Sequence, residues 1–155
     1  MIDTLKNNFL ESLIDKYIKE KIGIAEVLAG FVNCSVLVPT AFYIDNKAIT
    51  DPRQLNEMNF SEDELDRFES EFFLAKMENN EEYLVVYTSN KKVDVVIPKH
   101  YNLVAMGFDE LLDEYSEKKL DGIMVNPGEN GIILKNLHIE LIMKAIEASI
   151  HSSLN

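Results

Sequence analysis

Leu120–Asp121–Gly122–Ile123–Met124–Val125–Asn126–Pro127–Gly128 is the stretch that decides the fold. An Asp-Gly turn leads into a short apolar run, and an Asn-Pro-Gly turn ends it, which reads as a brief strand between two turns. Upstream, Tyr83–Leu84–Val85–Val86–Tyr87–Thr88–Ser89 has the same form, an apolar strand closing on a polar pair. These segments say more about fold than about chemistry.

Outward from them, strands and helices interleave. Ile2, Leu5, Phe9, Leu13 and Tyr17 recur at three- and four-residue spacing with Leu10, Ile14 and Ile18 beside them, predicting an N-terminal amphipathic helix with a broad apolar face. Gly23 interrupts it and Ile24–Phe31 resumes a helical pattern. Ser35–Ile44 is rich in β-branched and aromatic residues and reads as a strand, with Pro39 favouring an edge or a bulge, and Asp45–Asn46–Lys47 turns the chain. Ser61 and Glu64 form a capping box, with Phe60 and Leu65 as a staple, at the start of a short helix.

A strand over Phe72–Met77, an Asn79–Asn80 turn and a returning strand over Tyr83–Tyr87 make a hairpin. Lys92–Ile97 fits a short helix by position and a strand by its β-branched residues. Asn102–Met106 is a strand; Asp109–Lys118 is a helix with Asp109 at its N-cap and Leu111, Leu112 and Tyr115 facing inward. Ile123–Asn126, the Pro127–Gly131 turn and Gly131–Leu134 form a second hairpin. Asn136 caps a terminal amphipathic helix to about Ile150, with Leu137, Leu141, Ile142, Ala145 and Ile146 apolar. The expectation is one α+β domain over residues 1–155, a mixed β-sheet of about five to six strands covered by helices, with Leu37 and Val125 buried in the same sheet.

Composition narrows function by exclusion. Hydrophobic residues make up 46% of the 155, ordinary for a chain that buries one core. A net charge of −12 argues against nucleic acid, whose phosphates are held by Lys and Arg, and against an anionic membrane surface. Residues 51–90 hold eleven carboxylates against three cations, a net −8. That stretch either keeps the protein soluble or docks a basic partner, with Glu62, Asp63, Glu64 and Asp66 as the candidate face. The N-terminus lacks the apolar core of a signal peptide, and no run approaches the ~18 apolar residues of a membrane span, so the expected location is the cytoplasm. Cys34 is the sole cysteine and reads as a small buried hydrophobe.

No catalytic set assembles in the sequence. His100, His138 and His151 are widely separated, and His138 and Glu140 lie about 200° apart at about 100° per helical residue. The carboxylates of Asp109–Glu110 and Asp113–Glu114 share a helical face without a calcium-loop glycine, so neither metal nor cofactor is expected. There is no Gly-x-Ser-x-Gly elbow and no Gly-rich phosphate loop. Three residues remain as candidate binding groups: Thr88 and Ser89, which either cap the next turn or bind a ligand through their hydroxyls, and Asn126, which either supports its turn or faces a pocket.

The ordered segments Val36–Leu37–Val38–Pro39, Tyr83–Ser89, Phe108–Asp109–Glu110–Leu111–Leu112 and Gly122–Gly128 give the chain a resemblance to the N-terminal domain of the SseB (enhanced serine sensitivity) family over roughly residues 25–145. Val85 and Tyr87 stand where that family often has proline and phenylalanine. The resemblance implies a bacterial protein with no established enzymatic activity. Three readings follow: a non-catalytic module that binds other proteins, an immunity- or antitoxin-like inhibitor of a basic enzyme, and a small-ligand receptor or enzyme with a polar cleft at the strand ends. The N-terminal helix offers a surface for homo-oligomerisation.

Overall fold

The computed structural model describes residues 5–49, 62–93, 97–128 and 131–154. Helices α1 (Asn8–Ile18) and α2 (Ile24–Gly30) precede strand β1 (Ser35–Ile44), which turns into β2 (Lys47–Ile49). Asp45 and Asn46 hold φ of 51° and 66° between paired Ile44 and Lys47, a two-residue hairpin turn of the kind such residues favour. Helix α3 (Glu62–Asp66), β3 (Phe68–Phe72), β4 (Leu74–Lys76) and β5 (Glu82–Val86) follow. A 3₁₀ turn (Asn90–Lys92), β6 (Tyr101–Gly107), α4 (Phe108–Ser116), β7 (Gly122–Val125), β8 (Ile132–Lys135) and α5 (Asn136–Leu154) complete the order.

The class is α+β, as expected, but the strands form two four-stranded sheets instead of one sheet of five to six. In the first, β1 pairs with β2, β3 and β6, all antiparallel. The second runs β4-β5-β7-β8 and is mixed, because β5 and β7 are parallel while the outer pairs are antiparallel. Leu37 and Val125 are both buried, yet they lie in different sheets. One bridge joins the sheets: Leu37 and Tyr87 exchange backbone hydrogen bonds of 2.8 and 2.9 Å.

Pro39 explains the split. It occupies an inner strand, neither at an edge nor at a bulge, opposite Leu103 of β6. On its other side the β1·β3 ladder reaches Thr40↔Phe72, and Phe73 then donates to the Pro39 carbonyl at 3.0 Å. The return bond needs an N–H that proline lacks. The ladder stops there, and the chain bends at Phe73 to continue as β4 in the second sheet. The strand expected over Phe72–Met77 is therefore divided between the sheets.

All the long helices cover one face. Leu10, Leu13, Ile14, Val27, Phe31, Phe108, Leu111, Leu112, Ile139 and Ile142 meet Val36, Val38, Leu84, Val86, Ile123, Val125 and Leu134 in the main core. Each such side chain, fully buried, stabilises the fold by about 1.5–3 kcal/mol. Phe31 and Phe108 meet within it as a tilted pair, 4.9 Å between ring centroids. On the opposite face a smaller cluster of Leu37, Val85 and Tyr87 packs under Leu5, Phe73, Val93 and Ile97.

Several local expectations change. Phe9 is 75% exposed, because α1 turns Leu10, Leu13 and Ile14 inward instead. Leu137 and Leu141 are likewise exposed while Ile139 and Ile142 are buried. Helix α4 starts one residue early, with Gly107 rather than Asp109 at the N-cap. Asn136 is the first residue of α5; its side chain accepts from Tyr115 Oη (2.6 Å) and donates to the Leu120 carbonyl (3.1 Å) instead of capping. Phe60, Ser61, Asp94–Val96 and the centre of the Pro127–Gly131 turn lie outside the described residues, as do the side chains of Glu64 and Leu65. The capping box and the choice between helix and strand over Lys92–Ile97 thus fall largely outside them. No described helix is long and apolar enough to cross a membrane.

Candidate functional site

Strands β5 and β7 run parallel, so their C-terminal ends lie side by side and bring Thr88, Ser89 and Asn126 together. Backbone continuity fixes the contact: Asn126 N–H donates to the Val86 carbonyl at 2.9 Å, extending the β5·β7 pairing one residue past the strand. Asn126 then takes φ of 51°, a left-handed conformation that asparagine tolerates better than most residues. Its side chain turns towards Thr88. Oδ1 accepts from the Thr88 backbone N–H and Nδ2 donates to Thr88 Oγ1, both at 2.9 Å. The three predicted residues form one cluster, in which the Asn126 side chain bonds the neighbouring strand end at Thr88.

A fourth member was not expected from the sequence. Glu11 of α1 is buried, and its Oε2 accepts from Thr88 Oγ1 at 2.5 Å and from Ser89 Oγ at 2.7 Å. Lys91 Nζ stands 3.7 Å from Oε1, with its own side chain 70% exposed. Taking a carboxylate out of water is costly unless its lone pairs are met, and two hydroxyl donors plus a nearby ammonium meet them. Asn7 strengthens the same join, donating through Nδ2 to the Ser35 and Thr88 carbonyls, each at 2.7 Å. Leu5 N–H donates to Asn90 Oδ1 at 2.9 Å. The segment before α1 is thus strapped across the ends of β1 and β5.

The arrangement limits the chemistry. A hydroxyl bonded to a carboxylate resembles an activated nucleophile. Here both hydroxyls donate into one oxygen, and Thr88 is fully buried while Ser89 is 3% exposed, so both O–H groups are engaged by the fold. Ser89 precedes the 3₁₀ turn without capping it through its side chain. A cavity of about 250 Å³ lies alongside, lined by Leu5, Lys6, Asn8, Ser89 and Lys91. Cys34 adds no ready nucleophile: burial, the main cause, pushes its thiol up to about 12, which suppresses the thiolate. Among the described residues, no group of three or more His, Cys, Asp or Glu side chains could hold a metal ion.

The acidic face is a separate surface. Glu62, Asp63 and Asp66 on α3 are exposed, and the exposure continues through Glu69, Ser70 and Glu71 of β3. Arg67 is the one cation within this run and pairs with Asp45 at 2.7 Å. Glu11 did not stand out in sequence, whereas Glu69 and Glu71 of β3 belong to the acidic stretch read there. Glu11 interrupts an apolar helix pattern, a signal that acquires meaning only when partners nearly eighty residues away are known.

No protein-family model, no curated protein and no solved structure matches this chain. The SseB resemblance therefore rests on its sequence segments alone.

Proposed function

We propose that this chain is a cytoplasmic, non-catalytic protein that acts by binding a basic partner protein through its acidic face. The observation that carries the reading is the exposure of Glu62, Asp63, Asp66, Glu69 and Glu71 along consecutive elements of a chain with net charge −12. Such a surface attracts a cationic protein over distances beyond contact and speeds its encounter. The burial of the Thr88–Ser89–Asn126 cluster agrees with this, since it directs those polar groups to the fold. The SseB-like segments support the same reading, because that family has no established enzymatic activity. An immunity-type inhibitor covering a basic enzyme is its narrower form.

The test captures the partner from native cells by carbodiimide cross-linking and then measures its association rate. Neutralising Glu62, Asp63, Glu64 and Asp66 together, with Ser61 kept, removes four charges from the face. The Debye length falls from about 10 Å at 0.1 M salt to about 3 Å at 1 M, so a steering contribution largely disappears across that range. The expected result is slower association of the variant at low salt and a shallower salt dependence. Equal rates and equal slopes would overturn the reading.

A further inference from the structure

The first sheet carries a second cluster, on the face turned away from the helices. Tyr43 of β1 and Tyr101 at the start of β6 both donate their phenol O–H to the same oxygen, Glu71 Oε1 on β3, at 2.8 and 3.2 Å. The His100 ring lies 6.3 Å from that of Tyr43 and 4.6 Å from that of Tyr101, between centroids. Phe73 meets Tyr101 edge-on at 5.3 Å. Register places Glu69, paired with Tyr43, on this face as well. Leu103, opposite Pro39, also points outward here and is 37% exposed.

These side chains are not core. Tyr43, His100 and Tyr101 are half-buried, and Glu71 and Glu69 are exposed. Both phenols bind one carboxylate oxygen, and among the described residues no hydrogen bond or ion pair engages the other, Glu71 Oε2. Three rings and a carboxylate fixed through one oxygen, its other oxygen uncommitted among the described residues, make a receptor for a cation, because the π faces and the carboxylate are both negative. A guanidinium fits better than an ammonium. It is flat, stacks on rings, sheds water more readily and offers paired N–H groups to a carboxylate.

We propose that the Tyr43–His100–Tyr101 cluster around Glu71 seats an arginine side chain of a partner protein. This rests on the reading of the acidic face as a docking surface for a basic partner and names the contact that would give it specificity. Long-range attraction brings the partner in; the ring-and-carboxylate seat selects arginine over lysine.

The experiment titrates the whole chain with a peptide of four arginines spaced by glycines, and with its lysine counterpart. Binding is followed in NMR through the backbone amide and tyrosine ring resonances. The arginine peptide should shift Tyr43 and Tyr101 first and bind about two- to fivefold tighter than the lysine peptide, the scale of one exposed cation–π contact. Glu71→Gln should weaken arginine binding by a similar factor, about two- to fivefold, while leaving spectral dispersion intact. Replacing Tyr43 and Tyr101 together by phenylalanine keeps the rings and should preserve most of the affinity, whereas replacing both by leucine should abolish the preference for arginine. Equal affinity for the two peptides, or shifts spread evenly over Glu62, Asp63 and Asp66 with none favouring the tyrosines, would overturn the inference. The two readings fail separately. Loss of arginine selectivity with the charge-dependent association rate intact sinks only the seat; a charge-independent rate with the seat intact sinks only the steering role of the acidic face.

Discussion

Substituting Asn126 by alanine tests the strand-end cluster most directly. Two hydrogen bonds disappear, the acceptor for the Thr88 N–H and the donor to Thr88 Oγ1, each 2.9 Å long. Thr88 is fully buried, so its amide finds no water in exchange. Leaving such a group unsatisfied costs about 1–3 kcal/mol. The backbone adds a second cost, because φ of 51° suits alanine less well than asparagine, by about 1–2 kcal/mol. The sum is about 2–5 kcal/mol, or a melting temperature lower by about 5–15 °C for a chain of this length. Glycine at the same position relieves the backbone cost and still removes both bonds, so Asn126→Gly should fall between alanine and the native chain. Urea unfolding followed by far-ultraviolet circular dichroism measures all three, and an unchanged slope would show that the effect is on stability alone. An alanine variant within about 0.5 kcal/mol of the native chain, or a glycine variant weaker than the alanine one, would refute the reasoning.

The same assay serves three further predictions. Glu11→Ala leaves the Ser89 hydroxyl buried without its acceptor and should cost about 1–3 kcal/mol, whereas Glu11→Gln retains an acceptor oxygen and should cost less than about 1 kcal/mol. Combining Glu11→Ala with Ser89→Ala should fall short of additivity by at least about 0.5 kcal/mol, and simple additivity would show that the two groups are uncoupled. Gly122→Ala places a Cβ at 2.4 Å from the Leu134 carbonyl and 3.1 Å from the Tyr83 ring, so β7 and β8 must separate; a loss above about 2 kcal/mol is expected, and a neutral effect would contradict the register. Burial pushes the Cys34 thiol and the Tyr101 and Tyr115 phenols up to about 12, from ordinary values of 9.0 and 10.0. The fold therefore favours their protonated forms, and stability is complete below about pH 9 and falls as pH rises towards 12. A pH series of urea curves that stays flat over that interval would count against the burial of these groups.

What could be read from the sequence was what depends on neighbours in the chain. Strand β1 spans Ser35–Ile44 as its β-branched run implies, and the turns at Asp45–Asn46 and Asn79–Asn80 fall where residues that accept positive φ stand. The meeting of Thr88, Ser89 and Asn126 was foreshadowed only in that all three close strands. Their purpose came from Glu11, whose charge in an apolar helix pattern is ambiguous until the fold supplies two hydroxyls. Pro39 was recognisable as a break in a ladder, but which ladder it breaks depends on β3 lying on that side. The same limit hid the seat at Glu71, whose partners come from β1 and from the start of β6. An alternating strand names its two faces; it does not name the strand beside it.

The two sheets exchange strands along the chain, and this has a consequence during synthesis. The chain lays down β4 and β5 in the second sheet, returns to the first for β6, adds α4, and only then supplies β7 as the parallel partner of β5. From Val86 to Gly122 the ribosome adds about 36 residues, which at roughly 5–20 residues per second takes about 2–7 s. Throughout that interval the apolar segment Tyr83–Leu84–Val85–Val86 stands with one edge unpaired, open to other nascent chains. A polar pair, Thr88–Ser89, and the flanking Glu81 and Glu82 bound that segment on either side. Charge such as that of Glu81 and Glu82 beside an apolar strand disfavours its pairing with other chains while it waits for its neighbour to be made.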